Sequence, residues 1–250
     1  MSARVLEGAE GFDLDGGPRG ILLLHGFTAN PYGLHAFAGA LNDRGFTVHV
    51  PLLPGHGTSW EDLERVPWQG WEAEAAKALG RLVERSSAVG VVGLSFGGAL
   101  ALHLAATHAQ DVRALILVNP YVWDRRILAA PLVRYVRRTV AGVVDDISKP
   151  GGTERGYDRI PIRALAQVAR FQARVRGELT RVRQPILAFA SGEDHVIPRG
   201  NPAKVLRKVA SRDKELIVLD RSYHVAWLDH QAQDLFEAAG AFLERTLGPA

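Results

Sequence analysis

The sequence predicts an α/β fold, a mostly parallel sheet covered by helices on both faces. Two observations carry that prediction. Short, continuous apolar runs alternate with helical patterns along most of the 250 residues. The runs also lack the polar alternation of a half-exposed strand, as expected of strands buried on both sides.

The elements follow in order. A weak antiparallel edge strand is expected within residues 3–14. Residues 21–25, ILLLH, form the first strong strand and end at Gly26. A helical pattern over about 33–44 stops at Gly45 and leads into the strand FTVHV at 46–50. A long amphipathic pattern at about 68–86 precedes the strand VGVVGL at 89–94. A helix at about 96–108 then leads to VRALILV at 112–118. PILAFA at 185–190 and ELIVLD at 215–220 follow, with a helix between them, and a last helix runs from about 229 to 247.

One stretch breaks the alternation. Residues 121–183 show no buried strand and read as helices punctuated by Pro131, Gly142, Pro150-Gly151-Gly152, Gly156 and Pro161. They are expected to form a helical lid inserted into one α/β core made of residues 1–120 and 184–250. The stretch is also basic. It holds 13 Arg and 1 Lys against 6 Asp/Glu, a net +8, while the rest of the chain carries −5. A solvated helical face accounts for that charge, and a preference for an anion or for a membrane surface, with transient lipid contact through the lid, is the functional alternative.

Composition excludes several classes. There is no cysteine, so disulfides, thiolate catalysis and Cys-based zinc sites are ruled out. The net charge of +3 does not point to nucleic acid. No apolar stretch reaches the ~18 residues of a membrane span, and the first residues lack a signal-peptide core. A cytoplasmic monomer is expected. There is no His-x-x-x-His zinc helix and no phosphate-binding Gly-Lys-Ser/Thr loop, so neither a metal nor a cofactor is expected.

The chemistry centres on Gly93-Leu94-Ser95-Phe96-Gly97. Gly-x-Ser-x-Gly is a weak pattern alone, but here a strand runs into it and a helix leaves it. Such a sharp turn pushes a serine hydroxyl out towards substrate, and it tolerates only tiny neighbours. A serine needs a base to take its proton. His224 follows a strand and lies in a loop before the last helix, where parallel sheets place their sites. His230 is its rival but falls in a helical pattern. The acid is expected after the preceding strand, at Asp194, with Glu193 as the alternative. His195 reads as an exposed loop residue, and Asp229 as the N-cap of the last helix. Two backbone N–H groups, those of Phe27 and Phe96, are placed to hold an oxyanion. Phe27, Phe96, Tyr121, Trp123, Val196 and Trp227 are candidates for an apolar substrate pocket, among them Phe27, Trp123, Val196 and Trp227 for substrate binding.

These motifs carry a resemblance. Leu22-Leu23-Leu24-His25-Gly26-Phe27-Thr28, Pro54-Gly55-His56-Gly57, Gly93 to Gly98, Glu193-Asp194 and His224 to Asp229 resemble bacterial carboxylesterases and monoacylglycerol lipases of the α/β-hydrolase superfamily. The resemblance implies an eight-stranded core, or a seven-stranded one, with a small lid. It also implies hydrolysis of carboxylic esters without a cofactor, of short to medium acyl chains and of monoacylglycerols. Ser95, Asp194 and His224 fall on the catalytic positions. Two features depart from the pattern: Tyr223 stands where glycine often precedes the histidine, and the lid is rich in arginine. Thioesterase or C–C bond hydrolase chemistry could use the same three residues, and a non-catalytic receptor is the alternative from another class.

Overall fold

A computed structural model describes residues 4–249. In chain order the strands are β1 (Phe12–Leu14), β2 (Arg19–Leu24), β3 (Thr47–Val50), β4 (Ala88–Leu94), β5 (Val112–Val118), β6 (Thr139–Ala141), β7 (Arg159–Pro161), β8 (Ile186–Ser191) and β9 (Lys214–Leu219). The α-helices are α1 (His35–Asn42), α2 (Trp60–Arg65), α3 (Trp68–Val83), α4 (Phe96–Thr107), α5 (Ala130–Val133), α6 (Ile162–Glu178), α7 (Asn201–Lys208) and α8 (Ala232–Leu247).

The main sheet runs β1-β3-β2-β4-β5-β8-β9 and is parallel except where β1 meets β3. Among the described residues it therefore has seven strands, the smaller of the two numbers expected. The edge strand expected within 3–14 is only three residues long, and residue 3 lies outside the described ones.

Side chains on a strand alternate between faces, and here both faces are dry. Leu22, Leu24, Val91, Leu115 and Leu117 join a core with α3, α4 and α6. Ile21, Leu23, Val92, Leu94, Ile116 and Val118 join a second core with α1 and α8, where Phe37 stacks on Phe236 at 4.6 Å. Each of these leucines, isoleucines and valines contributes roughly 1.5–3 kcal/mol by leaving water. The double burial explains why the strands read as continuous apolar runs. It also explains α4, which is apolar all round because it is covered on every side.

The stretch 121–183 differs from expectation. It is not helical throughout: β6 and β7 pair as a short antiparallel hairpin, and α5 is a single turn. Both strands are three residues long, too short to print a period on the sequence. Only α6 is a long helix. Ala164, Val168, Phe171 and Val175 recur at helical spacing along its inner face and enter the same core as α3 and α4. The hairpin and the irregular residues around it form a cap over the carboxyl ends of the strands. The short α2 was not anticipated. Ser59 caps it, its hydroxyl accepting from the Asp62 N–H at 3.3 Å.

Candidate active site

β4 ends in a turn that leaves no room for a side chain at positions 93 and 97. A Cβ on Gly93 would run into the Gly97 backbone, and one on Gly97 into the carbonyls of Leu24 and His25. That closeness lets α4 start directly after Ser95. Ser95 itself sits at φ 52°, ψ −114°, a conformation L-residues avoid, which costs on the order of 1–3 kcal/mol. The neighbouring chain holds it there. Its N–H donates to Val118 O at 2.9 Å, and its carbonyl accepts from Gly98 N–H at 3.0 Å and Tyr121 N–H at 2.9 Å.

Beyond β8, Asp194 is buried and donates nothing; it only accepts. Its Oδ1 takes the N–H groups of Val196 at 2.9 Å and Ile197 at 2.8 Å. Its Oδ2 lies 2.7 Å from His224 Nδ1. Burial alone would raise the Asp194 pKa, but the His224 bond and those two N–H groups outweigh it and hold the carboxyl below its usual value. The bond also leaves His224 Nε2 as the ring nitrogen free to act as a base. Ser95 and His224 line one cavity of about 240 Å³. No direct Ser95–His224 hydrogen bond is present among the described residues; such contacts commonly tighten only when substrate binds.

The Phe27 and Phe96 N–H groups have no protein partner among the described residues. Phe96 opens α4, where the first-turn N–H groups are unpaired and the helix dipole is positive. Phe27 follows Gly26, where an added Cβ would come within 3.4 Å of Ser95 Cβ. His25 secures that loop: its Nε2 accepts from Leu53 N–H at 3.1 Å, which leaves Nδ1–H to donate to Gly26 O at 2.9 Å. Burial drops the His25 pKa to about 4, so it stays neutral and structural.

Of the expected pocket residues, Phe27, Tyr121, Val196 and Trp227 line the cavity. Phe96 is fully buried behind it, packed on Phe27 and Trp71. Trp123 is not in the cavity; it faces a neighbouring groove. Glu193 and His230 are exposed and away from the Asp194–His224 pair.

Several residues near the site escaped the sequence reading. Asn119, at φ 45° after β5, donates from Nδ2 to Ser191 Oγ and to His224 O, each at 2.8 Å. Asp146, from the cap, accepts the His224 N–H at 3.1 Å, the His195 N–H at 3.1 Å and His195 Nδ1 at 2.8 Å. His195 is thus exposed, as expected, but also anchored. Asp229 is not a helix cap: α8 begins at Ala232, and the Asp229 carboxylate accepts the N–H groups of Ser148, Lys149, Tyr223 and His230. Two carboxylates therefore stitch the cap to the His224 loop. Glu154, also from the cap, lines the cavity. Crowding by protein pushes its pKa up to about 7, against the pull of His224 and with a further push from Asp145. These contacts join residues far apart in the chain, and no local pattern announces them. Among the described residues no cluster of His, Asp and Glu is arranged to hold a metal ion.

The chain is similar to known proteins over nearly its whole length. It is 37% identical to the thermostable monoacylglycerol lipase of Bacillus sp. (strain H-257) over 246 residues, 98% of each chain. It is 24% identical to a carboxylesterase of Bacillus subtilis (strain 168) over 94% of this chain and 96% of that one. A solved structure from the work on the metagenome-derived lipolytic enzymes LipS and LipT superposes with a TM-score of 0.93 and 31% identity, covering 97% of this chain and 100% of that one. The monoacylglycerol lipase of Paleococcus ferrophilus, at 16% identity, shares the fold with a TM-score of 0.80 over 95% of this chain and 99% of that one. The model of the alpha/beta hydrolase family matches residues 21–238, and the chain belongs to that family.

Proposed function

We propose that the protein hydrolyses carboxylic esters through an acyl-enzyme on Ser95. The observation that carries this reading is the 2.7 Å bond between Asp194 and His224 Nδ1, made at the wall of the cavity into which the strained Ser95 turn opens. Ser95 Oγ attacks the ester carbonyl carbon while His224 Nε2 takes its proton. The oxyanion that forms is met by the Phe27 and Phe96 N–H groups at the positive end of α4. The intermediate collapses, the C–O bond breaks, and the alcohol leaves with the proton from His224. Water then repeats the sequence and releases the acid. Asp194 stays ionised, fixing the imidazole tautomer and offsetting the charge it gains.

The wall of the cavity is mostly apolar, with Ile127, Val140, Val143, Ile160 and Leu165 coming from the cap and α6. Its volume of about 240 Å³ suits a short or medium acyl chain. Monoacylglycerols stand first among substrates because a relative sharing 37% identity carries that activity in its name. One chain holds every residue of the site, so a monomer suffices. A transient contact between cap and lipid surface fits the same reading. Leu132 and Val136 are 77% and 87% exposed on the outside of the cap, among Arg134, Arg137 and Arg138.

Ser95→Ala tests the assignment. Turnover of p-nitrophenyl butyrate should fall by roughly 10⁴-fold or more, with an unchanged circular dichroism spectrum. Turnover near that of the unaltered protein would remove Ser95 from the mechanism.

A further inference from the structure

Beside the catalytic cavity lies a second concavity of about 620 Å³ with an unusual lining. Trp123 lines it together with five cations: Arg125, Arg126, Arg176, Lys204 and Arg207. The single carboxylate there, Asp124, is already committed. It is buried, accepts from Arg126 Nε and Nη2 at 2.9 and 2.7 Å, and takes the Tyr121 hydroxyl at 2.9 Å. The other four cations have no carboxylate partner among the described residues.

Arg125 and Arg207 are exposed and hydrated, so an unpaired charge costs little there; Arg176 is the exception. Arg176 is half-buried, spends one N–H on Val122 O at 3.2 Å, and has its pKa lowered by the loss of solvent. Lys204 lies 4.4 Å from the Trp123 ring centre, so an aromatic face rather than an anion stabilises it. The amino end of α7 opens on the same groove and adds its partial positive charge. Four cations without a carboxylate partner and the amino end of α7 give this hollow a positive potential that favours an anion. One carboxylate would neutralise a single cation. A phosphoryl group brings up to two negative charges and several acceptor oxygens, which match arginine forks.

The groove is joined to the catalytic cavity by a shared wall. Asp124 and Arg126 line both, and Arg126 Nη2 also donates to Val196 O at 2.6 Å, two residues beyond Asp194. We propose that this groove is a phosphoryl-binding subsite, filled by the headgroup phosphate of an acidic monoacyl ester or by free phosphate. The substrate arm of this inference rests on the ester-hydrolase reading; the binding of an anion does not.

The test compares the unaltered protein with a variant carrying Arg125→Ser and Arg207→Ser, both exposed positions outside the catalytic cavity. Three esters are used: p-nitrophenyl butyrate, monolauroylglycerol and its glycerol phosphate counterpart. Calorimetry with inorganic phosphate runs beside the kinetics. The unaltered protein should show a KM for the phosphate-bearing ester roughly tenfold below that of the neutral one. The variant should lose that preference and keep its p-nitrophenyl butyrate kinetics. Phosphate should bind the unaltered protein and not the variant. Phosphate binding without headgroup preference upholds the subsite and assigns it to free phosphate. Equal KM values together with no phosphate binding would overturn the proposal. Should p-nitrophenyl butyrate not be turned over at all, the ester-hydrolase reading falls, and calorimetry still decides the anion site.

Discussion

The strand-end loops of the core and the cap above them are built by different physics. Ser95, Asp194 and His224 stand on loops anchored by a sheet whose central strands are buried on both faces. The cap hairpin buries little of its own. Leu128, Leu132, Tyr135 and Val136, which lead into it, and Val143, which follows β6, are all exposed. Besides buried Ile127 and Tyr157, polar ties hold the cap to the core: Asp146 to the His224 loop, Asp229 to Ser148 and Lys149, and Arg138 to Glu64 at 3.0 Å. Tyr157 adds another, accepting from Thr58 N–H at 2.8 Å and donating to Gly55 O at 3.0 Å. Hydrophobic burial thus anchors the strands that carry the catalytic loops, whereas the cap sits on them through a few apolar contacts and many hydrogen bonds. Regions held by few apolar contacts open most readily, which suits a cap that admits substrate and releases product.

That contrast predicts a ranking of effects. Asp194→Asn strikes the core and should be the most damaging. It removes the acceptor that fixes the His224 tautomer, and kcat for p-nitrophenyl butyrate should drop about 10⁴-fold. A loss under tenfold would mean another carboxylate orients the imidazole. The same substitution should change acid stability. The Asp194 pKa is depressed in the folded protein, so its contribution is present above its ordinary value of 3.8 and is lost as pH falls through the lower folded value. The stability gap between the two proteins should therefore be full at neutral pH and close in strong acid. A gap independent of pH would contradict the shift.

Asp146→Asn cuts a tie between cap and core and should have an intermediate effect. The N–H groups of His224 and His195 lose a charged acceptor, and kcat should fall roughly tenfold to a hundredfold with a smaller change in KM. A purely structural role would lower Tm and leave kcat unchanged in the cold. The smallest effect belongs to the outside of the cap. Leu132→Ser combined with Val136→Ser should leave turnover of soluble esters unchanged. It should also weaken co-sedimentation with anionic vesicles, and equal sedimentation would end the lipid-surface reading.

The same contrast governs how much could be read from the chain. The main strands and long helices of the core were legible because double burial writes apolar runs, and the Ser95 turn because it demands glycine at 93 and 97. Ser95, Asp194 and His224 were reachable from their positions after strands, and the structure brings Asp194 and His224 into contact. Among the described residues the main sheet has seven strands, the smaller of the two numbers the resemblance implied. The cap was the poorest reading. Its three-residue strands show no period, and Trp123 turned towards the groove instead of the cavity. Asn119, Asp146, Asp229 and Glu154 matter through partners tens of residues away, which spacing alone does not reveal. Asp229 misled for a related reason: an aspartate just before a helix looks like a cap, but its carboxylate is drawn into the 148–149 backbone.

The most direct test is to stop the reaction halfway. The protein is mixed with excess p-nitrophenyl butyrate, quenched in acid within milliseconds, digested and weighed by mass spectrometry. A butyryl group on the peptide containing Ser95, absent from Ser95→Ala and from His224→Ala, is the predicted result. Prompt turnover with butyrate on a different residue, or on none, would contradict the account.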